Sequence, residues 1–235
     1  SRVHAYLRLK RASLLHAISA AGDTRTLDPL TRLGSLGAFL EAGKGFFQNS
    51  RERGLDLSVA ALDIDDFPAL QRQHAAAAEQ LLVRVAGILT ATVRREDVVA
   101  RVGEAEFAVL IPEADRSQAM KLCERLRERI AAEPMIGAAG PIAVSDSFGL
   151  VTQSADAPEN FEKSLVLVEQ RLSQARSDGG NRVGVTLLSD VMPEPEEVVL
   201  AGAPDAEVPL ENSRGEIELT DDSGDLSVAE LEALV

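Results

Sequence analysis

Two apolar runs, Val98 to Val102 and Phe107 to Ile111, are separated only by Gly103, Glu104, Ala105 and Glu106. A break so short and polar makes the chain double back, so the segment predicts an antiparallel hairpin that ends at Pro112. Around it the periodicity predicts a helix from Leu33 to about Arg53, a strand over Leu55 to Asp63 and a helix over Pro68 to Val93. After the hairpin come a helix over Asp115 to Ala131, a strand over Pro141 to Thr152, a helix over Pro158 to Arg176 and a strand over Arg182 to Leu187. Strands alternating with helices indicate an α/β layer fold, with helices packed on a central sheet.

A chain of 235 residues with 45% hydrophobic content can bury one substantial core. No apolar stretch approaches the roughly 20 residues of a membrane helix and nothing resembles a secretory signal, so a cytoplasmic location is expected. The lone cysteine, Cys123, sits in a helical pattern and reads as packing, while His4, His16 and His74 show no ligand spacing. Net charge is −14, and nearly all of it lies at one end: Asp190 to Val235 carries fourteen acids against the single base Arg214. Residues 188–235 are therefore expected to form an acidic, mostly disordered tail. Its last stretch, from Ser227 through Glu230 into Leu231 and Leu234, reads as a frayed end or as a docking peptide with a capping box. Ser1 to Ala21 is basic and amphipathic, with Leu7, Leu14 and Ile18 set among Arg2, Arg8, Lys10 and Arg11. That pattern suits packing or a coiled coil, or an anionic surface.

The hairpin turn and four other motifs carry a resemblance. Asp28-Pro29-Leu30-Thr31-x-Leu33, Leu62-Asp63-Ile64-Asp65-x-Phe67, Phe107-Ala108-Val109-Leu110-x-Pro112, Ser147-Phe148-Gly149 and Gly180-Asn181-Arg182-Val183 follow one another in the order found in GGDEF domains. The chain thus resembles the catalytic domain of diguanylate cyclases, which condense two GTP molecules into cyclic di-GMP. The resemblance covers residues 28–187 and implies a palm-like domain with a mixed sheet. Residues 1–27 likewise resemble the end of a receiver domain with its linker helix, which implies a response regulator of a two-component system.

Condensation of two triphosphates calls for divalent metal held by hard oxygens. The resemblance places the first metal acid at Asp63 and its partner at Ala105, whose methyl group ligates nothing. Glu104 and Glu106 flank the gap, and strand alternation is expected to aim them elsewhere. The guanine-reading positions align with Gln71 and Glu79, the run Ala75 to Ala78 replaces close-approach glycines, and the phosphate-binding positions read Pro68, Arg176 and Gly180. Asp63, Ala105 and Glu106 are on this reading a degenerate catalytic set. The expectations are that the chain is not an enzyme, that diguanylate cyclase activity is lost, and that it requires no metal or other cofactor.

A second site reads differently. Arg94-x-x-Asp97 is followed by five residues and then Gly103, the register of the family's inhibitory cyclic di-GMP site. A guanidinium can fork onto guanine O6 and N7 or onto phosphate, and a carboxylate accepts from the guanine edge. Arg125 matches the second arginine of that site, and Arg95 and Arg127 add positive field. Taken alone, Arg94 and Asp97 also suit a surface ion pair worth less than about 1 kcal/mol, and Arg125 a solvated helix face. The expected function is a cyclic di-GMP effector in which Arg94, Asp97 and Arg125 bind ligand and so control homodimerisation or docking of an unidentified protein partner. No nucleic acid is expected as a partner. The alternatives are a residual cyclase and a ligand-independent scaffold.

Overall fold

The computed structural model describes residues 27–137 and 140–186. The basic N-terminal stretch and the acidic tail with its capping box lie outside the described residues.

Ser35 starts the first helix by accepting from the Ala38 N–H at 3.3 Å, and Gly54, at φ 64°, ends it by donating to the Arg51 and Ser50 carbonyls. This helix, α1 (Leu36–Arg53), leads into β1 (Leu57–Ile64), followed by α2 (Phe67–Gln73) and α3 (Ala75–Thr92). The hairpin strands are β2 (Val98–Arg101) and β3 (Glu106–Pro112), and α4 (Arg116–Ala131) follows behind a capping box between Asp115 and Gln118. The chain ends its described course with β4 (Met135–Gly137), β5 (Gly140–Ile142), β6 (Asp146–Thr152), α5 (Gln153–Asp156), α6 (Phe161–Ser177) and β7 (Val183–Gly184).

Five strands form one mixed sheet in the order β2-β3-β1-β6-β7, antiparallel except for the β6–β7 pair. The expected α/β architecture, a central mixed sheet flanked by helices, is what the chain adopts. Alternation along β1 and β3 separates two cores. Leu62, Ile64, Phe107 and Val109 pack with Leu81, Val85 and Leu89 of α3 and Leu126 of α4. Leu57, Val59, Ala108 and Leu110 pack on the other face with Phe39 and Phe47 of α1 and Phe161 of α6.

Two glycines let α6 lie directly on the sheet. A Cβ on Gly149 of β6 would come within 2.1 Å of the Val168 carbonyl oxygen, and one on Gly184 of β7 within 2.5 Å of the Arg171 carbonyl oxygen. At the edge of that contact Arg171 and Asp156, both buried, form a two-pronged pair at 2.8 Å, with a third Arg171 bond to the Leu150 carbonyl. Arg116 binds the same carboxylate from α4, and the Thr152 N–H donates to it at 2.8 Å.

The structure departs from the predicted elements most in two places, besides the short helix α5 and the shortening of the last expected strand to Val183–Gly184. The helix expected over Pro68 to Val93 is interrupted at His74, with φ −144° and ψ 54°. Leu70 and Ala77 both pack against the same core across the break, so the apolar period runs through it unmarked. The strand expected over Pro141 to Thr152 is also two elements: β5 pairs with β4 in a separate two-stranded hairpin, and only β6 joins the main sheet. Apolar Ile142 and Val144 continue the alternation and hide the division. Against the expectation that no stretch approaches a membrane helix, α3, with mean hydropathy 1.2 over 18 residues, is by length and composition long and apolar enough to cross one. Its buried Leu81, Leu82, Val85, Ile88 and Leu89 make it a core helix.

Burial pushes the Asp156 carboxyl up, but the bonds from Arg171 and Thr152 and the charges of Arg171 and Arg116 outweigh it and hold the group below the usual carboxylate range. Its contribution to stability is therefore present at neutral pH and lost as pH falls through that lowered range. Asp156→Ala strands the buried Arg171 and should cost about 3–5 kcal/mol in urea unfolding at neutral pH, with a smaller difference from wild type in acid.

Candidate functional site

The hairpin turn is closed by the Glu106 carbonyl, which accepts from the Val102 N–H at 2.9 Å and the Gly103 N–H at 3.3 Å. The Glu106 side chain folds over Gly103, where an added Cβ would lie 2.5 Å from Oε2. Ala105 is buried, its methyl group part of the core beneath α3 and α4, and its carbonyl accepts from the Ile64 N–H at 3.4 Å. Asp63 lies in register opposite Glu106 on one side and Ser147 on the other. Directly opposed residues share a face of the sheet. Glu106 is thus the cross-strand neighbour of Asp63, a pairing that strand alternation counted from Ala105 does not reveal.

Arg176, near the end of α6, reaches Asp63 Oδ2 at 2.5 Å. Among the described residues no group of three or more His, Cys, Asp or Glu is placed to hold a metal ion. With Asp63 engaged by a guanidinium and a methyl group at position 105, the residues as placed do not fit a divalent cation.

Two anchors around this turn escaped the sequence reading as functional parts. Asp28 accepts from the Thr31 N–H and hydroxyl at 2.8 and 2.7 Å, and Arg101 bridges Asp28, at 3.4 Å, to the Glu104 carbonyl at 2.6 Å. Burial raises the Asp28 carboxyl, and the Thr31 bonds and the Arg101 charge overcome this to hold it below its ordinary range. Asp65 accepts from Ser145 at 2.7 Å, Ser147 at 2.8 Å and the Asn181 N–H at 3.0 Å. Its carboxylate fits because position 180 is glycine: a Cβ there would be 2.9 Å from Asp65 Oδ2. The signal for both was in the motifs, whose acids recur beside Thr, Ser and Gly. Gln71 and Glu79 are exposed on either side of the break at His74.

At the second site the three predicted residues meet around the segment that joins α3 to β2. The Asp97 side chain turns back to accept from the Arg94 N–H at 2.7 Å, and its own N–H donates to the Arg94 carbonyl at 3.3 Å. Asp97 is 9% exposed, and its Oδ1 is buried without a hydrogen-bond partner among the described residues. Burial is the main cause that holds its carboxyl above the ordinary range, against the bond and charge of Arg94. Arg125, exposed on α4, donates to the Thr92 carbonyl at 3.1 Å, two residues before Arg94. Arg129, one turn further on, donates to the Thr92 hydroxyl at 2.9 Å and is a basic neighbour the sequence reading missed. Arg127 is directed instead to Glu124 and Asn181, at 2.8 and 2.7 Å. Arg94 also borders a cleft of 440 Å³ with Phe46, Arg53, Asp56, Glu96 and Glu113.

A family model described as "Diguanylate cyclase, GGDEF domain" matches residues 25–182. The chain belongs to the GGDEF family. It is 32% identical over 159 residues to diguanylate cyclase DgcP of Pseudomonas aeruginosa, a match covering 67% of this chain and 23% of that protein. Diguanylate cyclase A of Treponema denticola is 29% identical over 147 residues, covering 62% of this chain and 39% of the relative. The chain thus spans less than half the length of these relatives. Among solved structures, the GGDEF domain of DgcB from Caulobacter crescentus, in complex with c-di-GMP, superposes with a TM-score of 0.63 at 23% identity, over 68% of this chain and 92% of that one. A sensory box/GGDEF family protein from the same organism gives a TM-score of 0.60 at 26% identity, over 66% and 100%. The expectation of a protein that is not an enzyme is corrected by these relatives, which are named diguanylate cyclases and place the GGDEF domain in an enzyme family.

Because Ala105 is part of the core, Ala105→Asp would bury an unpaired carboxylate. It should lower stability by about 2–4 kcal/mol, read as a fall in the urea midpoint, whereas Glu104→Gln at the exposed tip should shift it by less than about 0.5 kcal/mol.

Proposed function

We propose that this GGDEF domain binds cyclic di-GMP through Arg94, Asp97 and Arg125, and that occupancy controls homodimerisation or the docking of a protein partner. The observation that carries the reading is Asp97: a buried carboxylate with one oxygen anchored on Arg94 and the other without a partner. Such an oxygen is costly to leave unpaired, and a guanine edge supplies the N–H donors that would satisfy it. Arg94 and Arg125, both exposed, supply forked donors for phosphate or for O6 and N7. On the same reading residues 1–27 transmit a signal from a receiver domain, and no metal is needed to hold the ligand.

Calorimetric titration of cyclic di-GMP should give saturable binding to the wild type and at least a tenfold loss with Arg94→Ala or Arg125→Ala, about 1.4 kcal/mol each. Absence of wild-type binding at micromolar ligand would sink the proposal. Because Asp97 must be ionised to accept from guanine and holds its proton to higher pH than an ordinary carboxylate, affinity should weaken on acidification before ordinary carboxylates titrate.

Family membership and the opposition of Asp63 and Glu106 favour a second reading, synthesis of cyclic di-GMP from GTP. Incubation with GTP and magnesium or manganese, followed by chromatography, tests it. Product that disappears with Asp63→Ala establishes turnover by this domain.

A further inference from the structure

The first residue of β6 is an aspartate facing a core. Asp146 is fully buried, in register with Ile64 of β1, and alternation puts it on the same side of the strand as Phe148 and Leu150. That side is covered by α4. Neither of its carboxylate oxygens has a hydrogen-bond partner among the described residues. Ser145 and Ser147, the adjacent hydroxyls, are both directed to Asp65 instead.

We propose that Asp146 is a proton-binding site that governs how tightly α4 is seated on the sheet. With the proton on, the side chain is a neutral group of modest polarity and the helix packs as described. With the proton off, a bare charge lies between sheet and helix, and the helix must lift to admit water or bring Arg127 across. Burial of an unpaired carboxylate is too costly to persist in the ionised form.

Two of the three surrounding charges act in the same sense as burial. Asp65, at the end of β1, and Glu124, on α4, both oppose ionisation; Arg127, also on α4, is the favourable charge and is held by Glu124 and Asn181. Cys123 of α4 is buried beside them, its thiol pushed up by burial first and then by the charges of Glu124 and Asp146. Arg182, from the segment before β7, turns to the Gly180 carbonyl and to Asp178. Burial, followed by the Asp65 charge, pushes the Asp146 carboxyl up to about 7. An acid that holds its proton more tightly when folded contributes stability that is present in acid and is lost as pH rises towards that value.

Two measurements test this. Urea unfolding of the wild type should show the midpoint falling as pH is raised from about 5 to 8, with a change of order a hundredfold in the folding equilibrium. Asp146→Asn, neutral throughout, should lose more than half of that slope; equal slopes in the two proteins would overturn the proposal. The second measurement needs no variant that folds: the Asp146 carboxyl carbon, followed by NMR in the wild type, should titrate above about pH 5.5, and a midpoint at or below that value overturns the assignment.

Discussion

The acids around the hairpin mouth take their positions from β1. The strand is hydrogen-bonded on both sides, to β3 and to β6, and its residues alternate between two cores. Its last residues therefore have little freedom. Asp63 is fixed opposite Glu106 and Ser147, and Asp65, just beyond the strand, gathers two serine hydroxyls and the Asn181 amide. The ladder of backbone bonds does for the site what no single side-chain contact could: it sets which acids share a face.

The four aspartates with the clearest environments show how strongly partners decide what a carboxylate does. Asp156 is buried but surrounded by guanidinium donors, and it serves as a structural clamp. Asp63 is held by Arg176. Asp97 is satisfied at one oxygen only, and Asp146 at neither. The same group thus runs from one held as an anion below the usual carboxylate range to one that holds its proton near neutrality, and the difference is set by donors within hydrogen-bond reach rather than by burial alone.

Most of the architecture could be read from the chain because its signals are local. The hairpin around Gly103, the helix behind Asp115 and the strand ending at Asp63 each announce themselves by period and by turn residues. The interruption at His74 and the separate β4–β5 hairpin do not, since apolar spacing continues across both and no glycine or proline marks the break at His74. Arg94 and Asp97 stand out by their register and Arg125 by its match to the family's second arginine; the folded chain sets Arg125 against the Thr92 carbonyl, two residues before Arg94. What sequence could not supply was partnership. The Arg176 grip on Asp63, the opposition of Glu106 and Asp63, and the lack of a hydrogen bond to Asp146 among the described residues depend on residues dozens of positions apart.

The glycines beneath α6 give the domain a mechanical asymmetry. Where Gly149 and Gly184 let the helix backbone touch β6 and β7, no side chains intervene to slide or repack, so that contact behaves as a fixed plate beside the side-chain core that α1 and α6 share over β1 and β3. The opposite face is cushioned by the leucine, valine and phenylalanine side chains beneath α3 and α4, and it carries the helix that bears Arg125. Small shifts of a helix therefore cost most at the two glycines, and the plate supplies a frame against which the cushioned side is measured.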